Sequence, residues 1–196
     1  EKDQEAIAEF LREVDYRTVK FSSEMKRLRY LVEENFYYNI FDKYIEEEIV
    51  ECLELAKNFK FEFKSYMAAS KFYKDYALKT NDKKQYLENF NQHVFIVAMY
   101  LGDGNTALAK ELIIAMLEQR LQPATPTFLN SGRSRRGELV SCFLLEVGDS
   151  LNSINYIDST AKQLSKIGGG VAINLSKLRA RGESIKGIKG VAKGVI

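Results

Sequence analysis

The segment Gln122-Pro-Ala-Thr-Pro-Thr-Phe-Leu-Asn-Ser131 leads, after a short basic stretch, into Gly137-Glu-Leu-Val-Ser-Cys-Phe-Leu-Leu-Glu146. The first run contains both prolines of the chain, and the second contains one of its two cysteines. Thr, Ser and Asn beside prolines are typical of a turn. The residues from Leu139 to Val147 are nearly all apolar, which predicts a strand covered on both faces. We therefore expect the fold class to change at this point.

Downstream of this strand, the pattern alternates between helix and strand. Asp149 and Ser150 are suited to cap a helix, whose apolar residues recur at spacings of three and four: Ile154, Ile157, Ala161 and Leu164. The glycine turn Gly168-Gly-Gly170 then leads into a second short strand ending at Asn174. Strand, helix and strand begin an α/β layer. Because two strands do not form a stable sheet, we expect this layer to be incomplete in the chain.

Upstream, residues 1–121 have the pattern of a helical domain. Apolar residues keep helical spacing in three sets: Ile45, Ile49, Cys52, Leu53 and Ala56; Phe90, Val94, Val97 and Leu101; Leu108, Leu112 and Met116. Aromatic residues are dense in 30–44 and 59–76, where we expect packing between helices and not a stacking platform for bases. The predicted organisation is a helical domain over 1–121 and an α/β segment over 122–196.

The composition is that of a folded protein with balanced charge. Its 196 residues are 45% hydrophobic, and 29 basic residues against 27 acidic ones give a net charge of +2. A dedicated nucleic-acid-binding protein would show a basic excess, so no nucleic-acid partner is expected. No apolar run reaches the roughly 18 residues that span a membrane, and the first residues do not resemble a secretory signal. A cytoplasmic location without a membrane partner is therefore expected.

The few cysteines and the single histidine limit which disulfides, metal sites and catalytic triads the chain can form. Cys52 and Cys142 lie 90 positions apart, which predicts neither a disulfide framework nor a metal site. With His93 as the single histidine, a His-based metal site or a Ser-His-Asp triad is nearly excluded. Cys52 falls in an apolar helical stripe, which favours core packing. Cys142 has two interpretations: a thiol that opens onto a pocket and reacts, or an inert buried cysteine.

Several polar residues before and after Cys142 in the sequence also have two interpretations each. They comprise the hydroxyl and amide side chains of Thr125, Thr127, Asn130 and Ser131 and the basic side chains of Arg179, Arg181 and Lys186. The first set either binds a polar ligand or completes a turn, and the second suits phosphates. Asp149 either accepts a hydrogen bond from a ribose hydroxyl or caps the helix that follows it. The Gly168-Gly-Gly170 turn either admits a ligand close to the backbone or is a simple tight turn. A solvated loop is expected for Arg133, Arg135 and Arg136.

Taken together, these motifs resemble the large catalytic subunit of class Ib ribonucleotide reductase. The resemblance rests on four runs: Gln122-Pro-Ala-Thr-Pro-Thr-Phe-Leu-Asn130, Arg135-Arg-Gly-Glu-Leu-Val-Ser-Cys-Phe-Leu144, Gln163-Leu-Ser-Lys-Ile-Gly-Gly-Gly-Val171 and Ile185-Lys-Gly187. Upstream, Phe72-Tyr-Lys-Asp-Tyr-Ala-Leu-Lys-Thr-Asn81 and Tyr86-Leu-Glu-Asn-Phe90 are similar to its N-terminal helical region. The similarity covers the whole chain in order and corresponds to the N-terminal portion of that subunit.

The resemblance implies an α + α/β architecture, in which an N-terminal helical domain precedes the opening strands and helix of a ten-stranded α/β barrel. It implies reduction of ribonucleoside diphosphates to deoxyribonucleoside diphosphates by thiyl-radical chemistry with a redox dithiol. Cys142 matches the first cysteine of that dithiol, and the second is expected outside this chain, so this chain alone is expected to be inactive. The implied substrate-binding positions are Thr125, Thr127, Ser141, Cys142 and Gly170.

The resemblance also implies regulation and partners. The residues that match an effector site for a deoxynucleoside triphosphate or ATP are Asp149, Ser150, Arg179 and Lys186. No cofactor is expected to stay bound in this subunit, since the radical comes from a metal-containing small subunit. A second copy of the large subunit and a thioredoxin- or glutaredoxin-like reductant are the other implied partners.

Two alternatives remain open from the residues alone. One is a nucleotide-binding regulatory module without redox chemistry, which would use the basic loop and the glycine turn. The other is a helical interaction protein in which Cys142 is structural.

Overall fold

The computed structural model describes residues 2–135 and 137–194. The chain divides into two compact units, Glu1–Gly137 and Glu138–Ile196. We call them the helical unit and the α/β unit and describe each by itself. No helix among the described residues is both long and apolar enough to cross a membrane.

The helical unit is built from α-helices, as the sequence predicts. In its described residues these are α1 (Lys2–Tyr16), α2 (Glu24–Glu33), α3 (Glu46–Asn58), α4 (Tyr66–Lys71), α5 (Phe90–Gly102), α6 (Thr106–Leu117) and α7 (Thr125–Asn130). A 3₁₀ turn covers Ile40–Asp42, and a π-helical segment, Phe72–Tyr76, continues α4. Asn89 and Asn105 begin α5 and α6 by accepting a backbone hydrogen bond from the first turn of each helix.

Helix α5 is the centre of the core of the helical unit. Most of its residues are buried, among them Val94, Phe95 and Ile96, and it contacts α3, α6 and α7. A helix that is apolar on all sides is expected in the middle of a core. Cys52 lies on α3 and is fully buried, so its predicted core packing is confirmed. The aromatic residues pack between elements as predicted; the rings of Phe61 and Phe90 stack 4.0 Å apart.

The apolar stripe predicted for α6, which consists of Leu108, Leu112 and Met116, is buried only in part. Met116 is buried, but Leu108 is 39% exposed. The buried face is formed instead by Ala109 and Ile113 together with Met116 and Leu117. Because α6 is apolar on several faces, spacing alone does not select the face that contacts α3 and α5.

The segment with the two prolines forms a helix where a turn was predicted. Pro126 lies in the first turn of α7, where a missing N–H costs nothing and the fixed φ suits the helix. Phe128 is buried, and α7 packs on α5. The compact helical unit consequently continues past the predicted boundary at residue 121 as far as Gly137.

The α/β unit contains β1 (Cys142–Glu146), α8 (Leu151–Lys166) and β2 (Gly170–Asn174). The two strands pair in parallel, with Cys142 opposite Gly170 and Glu146 opposite Asn174. A helix that connects two parallel strands is the expected βαβ arrangement. The predicted order of strand, helix and strand is therefore confirmed.

Strand β1 is shorter and less covered than the sequence predicts. It begins at Cys142, not at Leu139, and its burial alternates: Phe143 is partly buried, whereas Leu144 is 85% exposed. Helix α8 contacts both strands, so within the described residues only one face of the pair has cover. On α8 itself, Ile157 is buried but Ile154 is 40% exposed. An apolar run indicates that burying the strand would be favourable, but it does not show whether one face of the strand or both are covered.

Candidate functional site

Cys142 lies at the start of β1, and its side chain is exposed. Within the described residues Cys142 is therefore not buried, while its reactivity stays a prediction. Its Sγ atom is 3.6 Å from the Ser141 hydroxyl oxygen, and the alternation of the strand places it on the same face as the exposed Leu144. An accessible thiol beside a hydroxyl is available for reaction with a ligand on this face.

The glycine turn brings Gly170 against Ser141 and Cys142. The Gly170 N–H donates to the Ser141 carbonyl over 2.7 Å, and a Cβ at Gly170 would lie 3.3 Å from that carbonyl oxygen. At Gly169, a Cβ would come within 2.2 Å of the Phe143 ring. Gly168 has a φ of +87°, which side chains rarely adopt. The turn is thus required by packing and conformation, and it keeps one wall beside Cys142 free of side chains.

Three of the four predicted effector residues, Asp149, Ser150 and Arg179, lie together at the start of α8. Asp149 accepts a hydrogen bond of 2.8 Å from Nε of Arg179, and the Nη1 of Arg179 donates to the Ser184 carbonyl. The Ser150 side chain caps α8 by accepting from the Ser153 N–H, so the predicted helix cap is confirmed. Lys186 is exposed and has a φ of +51°. The structure therefore pairs Asp149 with Arg179 and does not place Lys186 in that ion pair.

Thr125 and Thr127 belong to α7 in the helical unit. The Tyr76 hydroxyl, from the π-helical segment, donates to the Thr125 Oγ1 over 3.3 Å. Thr127 is partly buried, and its carbonyl accepts from the Ser131 N–H. Thr125 is exposed, and the hydrogen bond from Tyr76 orients its hydroxyl. Tyr76 belongs to a π-helical segment, and short π-helical turns are often found at functional sites.

A buried polar cluster fixes α7, and the sequence analysis missed it. Glu88 is fully buried and accepts hydrogen bonds from the Tyr37 hydroxyl, the Leu78 N–H and Nη2 of Arg133. His93 places Nδ1 2.6 Å from Glu88, and its Nε2 donates to the Phe128 carbonyl over 2.6 Å. His93 is therefore a structural link between α5 and α7. Glu88 and His93 are near each other in sequence, but no spacing rule adds Tyr37 and Arg133, which lie 51 and 45 positions from Glu88.

Arg133 corrects one expectation directly. The sequence predicts a solvated loop for Arg133, Arg135 and Arg136, but Arg133 is only 8% exposed and forms an ion pair with Glu88. Its Nη2 also donates to the Tyr76 carbonyl. Arg135 is exposed as expected, and Arg136 lies outside the described residues. A buried carboxylate needs a cationic partner, and the chain supplies it from the loop after α7.

Electrostatics supports structural roles for the buried Glu88 and Cys52 side chains. Burial alone would raise the pKa of Glu88, but Arg133 and His93, together with hydrogen bonds from His93 and Tyr37, hold it well below its usual range. Burial raises the pKa of the Cys52 thiol to about 11, which makes it a poor nucleophile near neutral pH. Among the described residues, no three His, Cys, Asp or Glu side chains form a set able to hold a metal ion.

Comparison with protein families matches nearly the whole chain to one enzyme family in three consecutive domains. Residues 1–61 match the ribonucleotide reductase N-terminal model, and residues 62–136 match the ribonucleotide reductase all-alpha domain. Residues 140–196 match the ribonucleotide reductase barrel domain. The boundary between the last two falls where the helical unit gives way to the α/β unit.

Individual relatives agree with this match. The chain is 52% identical over 200 residues to the ribonucleoside-diphosphate reductase subunit alpha of Bacillus subtilis, and to its NrdEB subunit alpha. It is 41% identical over 196 residues to the ribonucleoside-diphosphate reductase subunit alpha of Mycoplasma pneumoniae. These alignments cover 99–100% of this chain but only 18–28% of the relatives. The chain thus spans less than a third of the length of these relatives.

Proposed function

The chain belongs to the ribonucleotide reductase family, and on that premise we propose that it is part of a catalytic subunit that reduces ribonucleoside diphosphates to deoxyribonucleoside diphosphates. The observation that carries the proposal is the exposed Cys142 at the start of the first strand of the matched barrel domain. The Bacillus and Mycoplasma relatives named as subunit alpha support the same activity. Assignment to class Ib is part of the proposal.

Cys142 would act as one thiol of the reducing pair. In the reaction that the family implies, the bond between C2′ and its oxygen breaks, the oxygen leaves as water, and a hydrogen replaces it. Two thiols supply the two electrons and become a disulfide. Cys52 is fully buried with a raised pKa, so the second thiol would lie outside these 196 residues. A metal-containing small subunit would supply the radical, and a thioredoxin- or glutaredoxin-like protein would restore the dithiol.

The remaining residues would bind substrate and effector. Ser141 and Gly170 flank Cys142 and offer a hydroxyl and a backbone free of a Cβ for a nucleoside diphosphate. Thr125 and Thr127 of α7 are proposed as substrate-binding residues on the basis of the family resemblance alone. A deoxynucleoside triphosphate or ATP would bind at the start of α8 through Asp149, Ser150, Arg179 and Lys186. The effector site would lie at the interface of a homodimer in the cytoplasm.

Substitution of Cys142 in the intact subunit tests the proposal. We expect Cys142→Ser to abolish turnover supported by a dithiol reductant, because the oxygen cannot form the disulfide. Effector binding, measured by calorimetry, should be unchanged. The matched control is Cys52→Ala, which alters the other cysteine and should leave turnover supported by the reductant. If Cys142→Ser retained that turnover, the redox role of Cys142 would be wrong.

A further inference from the structure

A basic pocket lies beside the C-terminal end of α7 in the helical unit. It encloses about 510 Å³ between the loop after the π-helical segment, the turn after α2 and the residues that follow α7. Its cationic lining residues are Lys74, Lys79, Lys83, Arg133 and Arg135. Volumes of roughly 300–1,000 Å³ are usual for small-molecule sites. We call this cavity the basic pocket.

The protein neutralises the positive charge of the basic pocket only in part. Glu34 and Asp75 are the carboxylates in its lining, and Asp75 is paired with Lys71 outside it. Within the described residues, none of the four cations other than Arg133 forms a salt bridge. Cations gathered around a cavity raise the local concentration of anions.

The pKa of Lys79 also reflects the excess of positive charge around the basic pocket. Burial lowers its pKa, Asp75 opposes that effect, and the charges of Arg17 and Lys83 lower the pKa further. Its Nζ donates to the Lys74 carbonyl, which holds the charge at the pocket wall. A bound anion would relieve the repulsion between these cations.

Arg133 supplies a buried donor without a partner. Its Nη2 is fully engaged by the Glu88 carboxylate and the Tyr76 carbonyl. Its Nη1 is buried and has no hydrogen-bond partner in the described structure. Because Nη1 has almost no accessible surface, Arg133 contributes positive charge at the wall of the basic pocket and not a hydrogen bond to a ligand inside it. In a pocket with excess positive charge, an oxyanion balances that charge.

We propose that the basic pocket binds a phosphate group, either as free phosphate or as the monoester of a small molecule. Lys79, Lys83 and Arg135 would contact the phosphate oxygens, while the buried Arg133 adds positive charge at the pocket wall. Arginine and lysine in this combination are the usual phosphate-binding set. The site goes beyond the proposed function, since none of its residues is among those proposed to hold substrate or effector.

Calorimetric titration of the full chain at low ionic strength tests the pocket. The probes are inorganic phosphate and ribose 5-phosphate, with ribose as the uncharged control. The test variant Lys74→Gln/Lys83→Gln/Arg135→Gln removes three exposed cations and spares the buried network. We expect it to weaken phosphate binding at least about tenfold. The matched variant Lys2→Gln/Arg12→Gln/Lys26→Gln removes the same charge elsewhere on the helical unit and should bind within about twofold of the wild type.

The two probes separate the sources of the phosphate. Equal affinities would assign the site to free phosphate, and tighter binding of ribose 5-phosphate would assign it to a monoester. A second variant, Lys79→Gln, removes the partly buried cation of the pocket and should lose affinity in protein whose thermal midpoint shows it to be folded. Equal binding by the test and matched triple variants, or no binding by the wild type at millimolar probe, would overturn the proposal.

Discussion

Cys142 and Cys52 show how position decides the chemistry of one residue type. Cys52 points into the core from α3, and burial raises the pKa of its thiol to about 11. Cys142 is the first residue of β1, and its side chain is exposed beside Ser141. The sequence predicted the first outcome from a helical stripe, but it left the second open. The exposure of a strand residue depends on what covers that face, which the local pattern does not contain.

Glu88 is the residue on which the polar interior of the helical unit depends. Its carboxylate is fully buried and is contacted by Tyr37, His93 and Arg133. Arg27, also buried, donates to the Leu87 carbonyl next to it. Removing one partner of such a cluster leaves other charges buried and unpaired, which is more costly than losing a surface pair.

We expect Glu88→Gln to destabilise the chain by about 3–5 kcal/mol at pH 7. Because the folded-state pKa of Glu88 lies below the ordinary glutamate value of 4.5, ionisation of Glu88 stabilises the fold above pH 4.5. This contribution is lost as the pH falls from there towards the depressed folded-state pKa. The stability difference between wild type and variant should therefore shrink below about pH 4.5. Urea denaturation followed by circular dichroism between pH 7 and pH 3 measures it.

The control for this prediction is Glu111→Gln on the exposed side of α6. It removes the same charge without a buried partner, so its effect should stay within about 0.5 kcal/mol. A constant difference between wild type and Glu88→Gln over the whole pH range would contradict the role given to the Glu88 carboxylate.

At the scale of elements, α7 owes its conformation to its neighbours. A helix of six residues is too short to be stable by itself. The Phe128 ring packs edge-on to His93 with centroids 4.5 Å apart, and it also meets the rings of Tyr76 and Phe90. The hydrogen bond from His93 to the Phe128 carbonyl fixes the same residue. Contacts with α5 and the π-helical segment therefore hold the helix that presents Thr125.

We expect His93→Phe to loosen α7 more than the other helices. The larger Phe ring cannot make the hydrogen bond to the Phe128 carbonyl, at a cost of about 1 kcal/mol, and it also loses the contact between Nδ1 and the Glu88 carboxylate. Amide hydrogen exchange of Phe128 and Ser131, whose N–H groups bond within α7, should become about five- to tenfold faster. The amides of α6 in the same sample are the internal control. Unchanged exchange in α7 would show that the ring contacts alone hold it.

The sequence predicted regular elements well and irregular ones poorly. Helical spacing located α3 and α5, and the glycine run located the turn before β2. The helix at Pro126 was missed because proline fits a first helical turn as readily as a loop. The buried position of Arg133 was missed because its partner, Glu88, lies 45 positions away. Of the candidate site, the grouping of Ser141, Cys142 and Gly170 follows from strand register, which the order of elements alone does not give.

For the whole molecule, burial is distributed very unevenly between the two units. All of the largest fully buried side chains, such as Tyr37, Phe95 and Met99, lie in the helical unit. In the α/β unit, the buried residues among those described are Val147, Ile157 and Ala192. Two strands and one helix bury too little apolar surface for independent stability. The free energy of local opening should therefore be much lower in the α/β unit.

Limited trypsin digestion of the 196-residue chain, followed by mass spectrometry, tests this difference. Exposed basic residues such as Lys177, Arg181 and Lys189 lie in turns of the α/β unit, so we expect the first cuts there and a resistant fragment spanning most of residues 2–135. Cleavage requires local opening, which the packed helices oppose. Val97→Ala, which creates a cavity in α5, should shorten the lifetime of that fragment. Early cuts within α3, α5 or α6 while the strand pair stays intact would reverse the order of stability argued from burial.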